Sequence, residues 1–431
     1  MRVELVTVGD ELLLGDTVNG NAAWLGQRLA EAGVRVTRSV VVGDELDVII
    51  EAVTSALERA DAVITTGGLG PTYDDLTRDA LARAAGVPLL RDPRLEGWLR
   101  ERARASGRAM PEMALRMAEV PEGAGLLDNP VGSAPGLRVR LPGGVVYALP
   151  GVPHEMRAIM TETVLPELAA GPGETPVARR TLRTAGLWES VVAARLAPVE
   201  AMDGVRLAYL PGAAEVRVRI TATGAGAPAL LDRADALTRE LLGPAVYGEE
   251  DRTLDRVVHR LLGERSATVA TAESLTGGLI GAELTEMPGS SATYAGGVVA
   301  YATRLKRDLL DVPEGLLAEH GAVHPEVAAA MAEGVRDRLA ATYGLAVTGV
   351  AGPEPQDGRP VGTVYVAVAG PEGKTTVTAP LLPVPRSGVL GRGQVRRLTV
   401  VHALDLLRRE LLGVGPDPAA VSRGQDREEP G

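Results

Sequence analysis

Cysteine and phenylalanine are absent from this chain of 431 residues, and only two of its 45 basic residues are lysines. Without cysteine there is no disulfide, no thiolate zinc site and no thiol nucleophile. Aromatic residues make up only 3% of the chain; this scarcity, like the use of arginine for nearly every cation, reads as compositional drift. No apolar run is long enough to span a bilayer. The opening segment, Met1-Arg2-Val3-Glu4-Leu5-Val6-Thr7-Val8, lacks the basic start and cleavage site of a signal peptide. A soluble cytoplasmic protein is expected, with no membrane partner. A net charge of −11 argues against a general nucleic-acid binder. Apolar content of 45% over this length is ample for two or three cores.

The two lysines stand out against this background. Arginine keeps its proton near neutral pH, whereas a desolvated lysine can become a neutral amine and act as a base. Lys374, in Pro371-Glu372-Gly373-Lys374, reads as part of a solvated turn. Lys306 follows the apolar run Gly296-Gly297-Val298-Val299-Ala300-Tyr301 and is the candidate for chemistry.

The pattern along the chain predicts an α/β protein. Strand-like segments at 3–8, 34–42 and 62–66 alternate with helical ones at 21–32 and 45–60, which implies a parallel sheet covered by helices. Helices are expected at 93–105, 113–117 and about 153–168, and a strand pair near 137–139 and 145–149. The stretch 170–176, rich in Gly and Pro, reads as a linker. A small α+β segment in the order βαββα follows, with a strand at 216–220 and a helix at 228–242. A third α/β unit begins near residue 251. The predicted divisions are 1–170, 171–250 and 251–412, with 413–431 a disordered tail.

Residues 266–271 read as a strand, followed by Ala272-Glu273-Ser274-Leu275-Thr276-Gly277-Gly278 and a helix at 279–285. A strand-to-helix turn suits a serine nucleophile, because the helix start offers N–H groups to a developing oxyanion. Gly277 and Gly278 permit close approach of a ligand to the backbone. The hydroxyl needs a base, and Lys306, placed near the end of the next strand, is expected to supply it once burial lowers its pKa. Tyr301 is near enough in sequence to orient or relay the proton. The competing explanation is that Ser274 merely caps a helix and Lys306 lies on the surface.

These segments, with Thr348-Gly349-Val350-Ala351-Gly352-Pro353 and Val361-Gly362-Thr363-Val364-Tyr365, resemble the C-terminal domain of the competence/damage-inducible CinA family. That domain is similar to nicotinamide-nucleotide amidases of the PncC type. The resemblance implies hydrolysis of nicotinamide mononucleotide to nicotinate mononucleotide and ammonia, without a cofactor. It assigns Ser274 as nucleophile, Lys306 as base and Tyr301 as assistant. Glu273, Thr276, Gly277, Gly278, Thr348, Gly349, Ala351 and Gly352 would contact the substrate. Where the family loop commonly has cysteine, this chain has Leu275.

Near the N-terminus, Thr65-Thr66-Gly67-Gly68-Leu69-Gly70-Pro71-Thr72-Tyr73-Asp74-Asp75 joins a glycine cradle to a carboxylate pair. Such loops suit phosphate oxygens and a bridging divalent cation, although an Asp before a helix is also an ordinary cap. Gly9-Asp10-Glu11 follows the first strand. Together these loops resemble the N-terminal, molybdopterin-binding-like domain of the CinA family. The resemblance implies a magnesium- or cobalt-dependent ADP-ribose pyrophosphatase giving AMP and ribose 5-phosphate. Gly67, Gly68, Gly70 and Thr72 would hold substrate, and Asp10, Glu11, Asp74 and Asp75 the metal. The alternative is a nucleotide- or pterin-phosphate-binding regulatory scaffold with one or both sites inactive.

Gly186-Leu187-Trp188-Glu189-Ser190 resembles the Gly-Ile-Gly-Glu-Ser of the family's KH-like domain. Nine arginines against ten acidic residues between Gly171 and Glu250 leave that segment near neutral, so a structural or dimer-forming role is favoured over RNA binding. The family resemblance implies a homodimer. His320 and His324 have ligand-like spacing, but Gly321 and Pro325 interrupt a shared helix and no third ligand is in view, so zinc is not expected there.

Overall fold

The structure, a computed structural model, describes residues 1–105, 111–169, 177–250, 252–382 and 391–415. The predicted linker and nearly all of the predicted tail lie outside the described residues. The chain divides into two compact units, Met1–Pro176 and Val177–Gly431.

The first unit is built on a six-stranded sheet in the order Arg35–Val42, Arg2–Val8, Ala62–Thr66, Gly144–Leu149, Gly136–Leu141, Gly125–Leu127. The first four strands are parallel, as the alternating pattern implies. The last two run antiparallel, so the sheet is mixed where a parallel one was expected. The cause is local: Gly136–Leu141 and Gly144–Leu149 are joined by a tight turn through Gly143, too short for a parallel crossover. Ala62–Thr66 is buried at every position because helices cover both faces. Leu25, Leu29, Met156 and Ile159 pack on one face, and Ile49, Val53, Leu69 and Leu81 belong to the cluster on the other. The helix expected over 153–168 is present, with a π-helical turn at Met160–Val164 inserted between Pro153–Ile159 and Leu165–Ala169.

The second unit carries two sheets. The four-stranded one, in the order Val205–Pro211, Glu215–Thr223, Val177–Ala185, Val246–Glu249, is antiparallel and is covered by Glu189–Glu200 and Ala227–Leu242. The five-stranded one runs Tyr294–Val299, Val269–Glu273, Tyr343–Gly349, Val364–Ala369, Thr375–Thr378. Its first three strands are parallel and its last two antiparallel. The serine strand starts at Val269, later than expected, because Ser266 has φ +50° and still belongs to the turn closing the helix Leu254–Glu264.

The long helix Arg392–Leu412 packs against this sheet and carries a buried ionic group. Asp405 accepts from Arg408 at 2.6 Å and from Arg409 at 2.8 Å. Arg408 also donates to the Pro244 carbonyl at 2.6 Å. The same apolar cluster includes Ala185 and Tyr247 from the four-stranded sheet, so the two sheets of this unit share a core. Among the described residues no helix is long and apolar enough to cross a membrane.

Candidate functional site

In the second unit Ser274 leaves the carboxyl end of the central parallel strand Val269–Glu273, where its N–H donates to Val347 O at 3.2 Å. The chain then turns through Gly277 (φ +59°) and Gly278 (φ +96°) into the helix Leu279–Thr285, a left-handed path that glycine takes without strain. Glu273, expected among the substrate contacts, instead accepts from the N–H groups of Gly278, Ile280 and Gly281 at 2.8–3.1 Å. A carboxylate is the natural cap for those orphan donors, and it takes the N–H groups that a free helix start would have offered an oxyanion. Thr276 is fully buried, and its hydroxyl has no partner among the described residues.

Lys306 is not at the end of a strand, as expected, but on the helix Thr303–Leu310 that follows the edge strand Tyr294–Val299. The helix turns it inward: the residue is 1% exposed, whereas the side chain of Lys374 is 74% exposed and reaches Glu410. The Lys306 amine donates to Ala300 O at 2.8 Å and lies 3.1 Å from Ser274 Oγ. Among the described residues no carboxylate pairs with it. Burial lowers its pKa from 10.5 to about 8, with the charge of Asp357 opposing the shift.

Tyr301 shares the cavity wall with Ser274 but is 56% exposed, and its hydroxyl accepts from Arg392 at 2.5 Å. It makes no hydrogen bond to Ser274 or Lys306 among the described residues, so any assistance it gives is indirect. The enclosed space beside Ser274 is about 100 Å³. Sites that enclose a drug-sized ligand run to several times that, so this one encloses part of a ligand only. Thr348, Gly349, Ala351 and Gly352 line it. The Thr348 hydroxyl, however, donates to Ala322 O at 2.6 Å, and a Cβ on Gly349 would sit 2.5 Å from Thr363 O. These two residues therefore also shape the wall. Gly277 and Gly278 form the turn and are not part of the wall. Two arginines on the last helix complete the site: Arg392 donates to Gly352 O and Arg396 to Thr276 O. Nothing in the sequence marked them, because arginine is the commonplace cation of this chain.

In the first unit the glycine loop follows Ala62–Thr66. A Cβ on Gly67 (φ +107°) would lie 2.1 Å from Val8 O, so the backbone itself demands glycine. Asp75 accepts from Gly70 N–H, Thr72 N–H and the Thr72 hydroxyl at 2.5–2.8 Å. Buried Arg78 donates to Leu69 O and Gly70 O. Asp75 thus closes the loop, and the expected pair divides: Asp74 stays exposed at the cavity.

Asp44, which follows the neighbouring parallel strand, was not anticipated. It exchanges hydrogen bonds with Asp10, Asp10 N–H donating to Asp44 Oδ2 at 2.9 Å and Asp44 N–H to Asp10 Oδ1 at 3.2 Å. The Asp44 carboxyl is held above its ordinary range by burial and by the charges of Asp10, Glu11 and Asp74. Glu11, Asp44, Asp74 and Asp75 line one cavity of about 410 Å³ with Gly67, Gly68, Gly70 and Thr72. Asp10, expected among the metal ligands, is not part of that lining and is tied to Asp44 instead. Carboxylates beside a glycine cradle are the donor type of a hard divalent cation, although among the described residues no three of these gather ligand oxygens within 4.8 Å of one another.

Three family models match in succession: the probable molybdopterin binding domain over residues 4–170, the damage-inducible protein CinA KH domain over 179–248, and the CinA C-terminal domain over 251–411. A CinA-like protein of Frankia casuarinae is 52% identical over 427 residues, covering 96% of this chain and 97% of the relative. The chain belongs to the CinA family. A CinA-like protein of Parasynechococcus marenigrum is 46% identical over 95% of this chain and 98% of its own. A crystal structure of the CinA protein of Thermoplasma acidophilum is 40% identical over 39% of this chain and 97% of that one, with a TM-score of 0.36. In the CinA KH segment, the loop Gly186–Glu189 faces Leu398 and His402 of the last helix across a cavity of about 490 Å³.

Proposed function

We propose that the C-terminal domain is a Ser–Lys amidohydrolase that releases ammonia from nicotinamide mononucleotide. The observation that carries this is a buried lysine, unpaired with any described carboxylate, 3.1 Å from a serine hydroxyl at a sheet edge. With a pKa of about 8, roughly a tenth of the amine is neutral at pH 7. Its bond to Ala300 O fixes one N–H and leaves the lone pair for the serine proton. Ser274 Oγ then attacks the carboxamide carbon as its proton passes to Lys306. The ammonium returns that proton to the departing nitrogen, ammonia leaves, and a nicotinoyl ester of Ser274 remains. Water, deprotonated by the same amine, cleaves the ester to nicotinate mononucleotide and restores the serine. With the pyridine carboxamide in the space beside Ser274, the ribose phosphate would lie at the mouth within reach of Arg392. Ammonia release by wild type, with none from Ser274→Ala, tests the reading.

For the N-terminal domain the reading is metal-dependent cleavage of ADP-ribose. Glu11, Asp44 and Asp74 would hold a magnesium or cobalt ion, and Asp10 and Asp75 would brace them. When bound, such an ion neutralises diphosphate charge and can activate water. The backbone of Gly67–Gly70 receives the phosphate oxygens. A second reading, a nucleotide- or pterin-phosphate binder, is favoured by Asp75 being committed to loop closure. Formation of AMP from ADP-ribose on addition of metal separates the two.

A further inference from the structure

We propose that His320, His324 and Glu326 form a binding site for a borderline divalent cation of the zinc class. The helix is interrupted between the two histidines, as Gly321 and Pro325 imply, and Glu326 stands beside them as a third ligand. Helix Glu314–His320 ends at the first histidine, and His324 caps Pro325–Arg338. Gly321, at φ +72°, turns the chain so that the two imidazoles stack, with centroids 4.0 Å apart and planes 8° from parallel. Glu326, two residues on, brings its carboxylate to the same place. One ligand atom from each of the three lies within 4.8 Å of the others.

Two imidazoles and a carboxylate match the preferences of zinc or cobalt rather than magnesium or calcium. Each of the two partly buried imidazoles has a ring nitrogen whose lone pair a metal can take. Parallel rings aim their in-plane lone pairs at different points, so binding one ion requires one ring to turn; the ring nitrogen of His324 accepts from Glu326 N–H at 3.4 Å, a weak bond that this rotation gives up cheaply. Glu319 lies 3.7 Å from His320 Nε2 as an outer partner. Arg359 acts on His324 with the opposite sign, so two carboxylates outnumber one guanidinium around the pair.

The site closes a loop that matters elsewhere. Ala322 donates to Asp357 at 3.0 Å and accepts from Thr348, and Ala322 and Val323 line the Ser274 cavity. A cation joining the two helix ends clamps that wall.

The test is titration of tag-free, full-length protein with cobalt(II), read by visible absorption, and with zinc, read by thermal unfolding. Wild type should give an intense tetrahedral-type cobalt spectrum saturating at one equivalent. His320→Ala, His324→Ala and Glu326→Gln should each bind more than about tenfold more weakly, the lower bound for losing an outer-shell partner. Zinc should raise the unfolding temperature of wild type by more than that of any variant. Circular dichroism checks that each variant is folded, and the isosteric Glu326→Gln serves if a histidine variant is not. The N-terminal carboxylates would contribute the same weak band to every protein. An identical cobalt spectrum in wild type and variants, or no intense band at all, overturns the proposal. Neither readout needs turnover, so the result is independent of the amidase reading.

Discussion

Lys306 reaches Ser274 from a separate helix, with its amine 3.1 Å from the hydroxyl and held by a backbone carbonyl in place of an acidic partner. An amine so placed titrates near neutrality. The amidase kcat/KM should therefore rise with pH through a midpoint of about 8 and level off above it. Lys306→Arg keeps the charge but cannot deprotonate, and should lower turnover by about 10²–10⁴-fold. Full activity in that variant would remove the lysine from the chemistry. Lys374→Arg should change nothing.

The same burial costs stability. The folded lysine loses its proton from about pH 8, and the unfolded one only near 10.5. The unfolded state therefore binds more protons in that window, and wild-type stability rises as pH climbs through it. Lys306→Met should be more stable than wild type by up to about 3 kcal/mol at pH 7, less the lost bond to Ala300. The advantage should fade between pH 8 and 10.5. Urea unfolding at pH 7 and pH 10 measures it.

Because Tyr301 holds Arg392 and, among the described residues, hydrogen-bonds to neither Ser274 nor Lys306, Tyr301→Phe should raise KM for nicotinamide mononucleotide more than it lowers kcat. Losing one charged hydrogen bond suggests an effect of roughly tenfold. A selective collapse of kcat would restore a direct proton role to the tyrosine.

In the first unit the two neighbouring aspartates should behave differently. Asp74→Asn should weaken metal-dependent AMP formation and leave the unfolding temperature unchanged. Asp75→Asn should also lower the melting temperature of that unit, because it disturbs acceptors of three loop hydrogen bonds. Neither should alter ammonia release. Metal titrations paired with thermal melts distinguish the cases.

Much of this was legible in advance. Glycine after a buried strand marked both loops, and the rarity of lysine singled out Lys306. What stayed hidden depended on three-dimensional assignment of ordinary residues. Asp44 was discoverable, since Gly43-Asp44 ends a second parallel strand as Gly9-Asp10 ends the first. Arg392 and Arg396 were not, being two among dozens of arginines and brought in by the last helix. Whether Glu273 and Asp75 meet a ligand or cap their own loops is decided by side-chain direction, which spacing does not encode.

The buried group on the last helix offers a further check. Asp405→Ala leaves two guanidinium groups buried without their shared carboxylate, and should cost about 3–5 kcal/mol. Chemical denaturation should show the loss in the second unit and not in the first.

That helix also bears on how the protein divides. Arg408 takes Pro244 as an acceptor, and Ala185 and Tyr247 complete the hydrophobic cluster around it. Cutting the chain at residue 251 would strip a guanidinium of its carbonyl and bare an oily patch. The seam that family patterns draw there separates inherited pieces, yet the pieces on either side of it should melt as one.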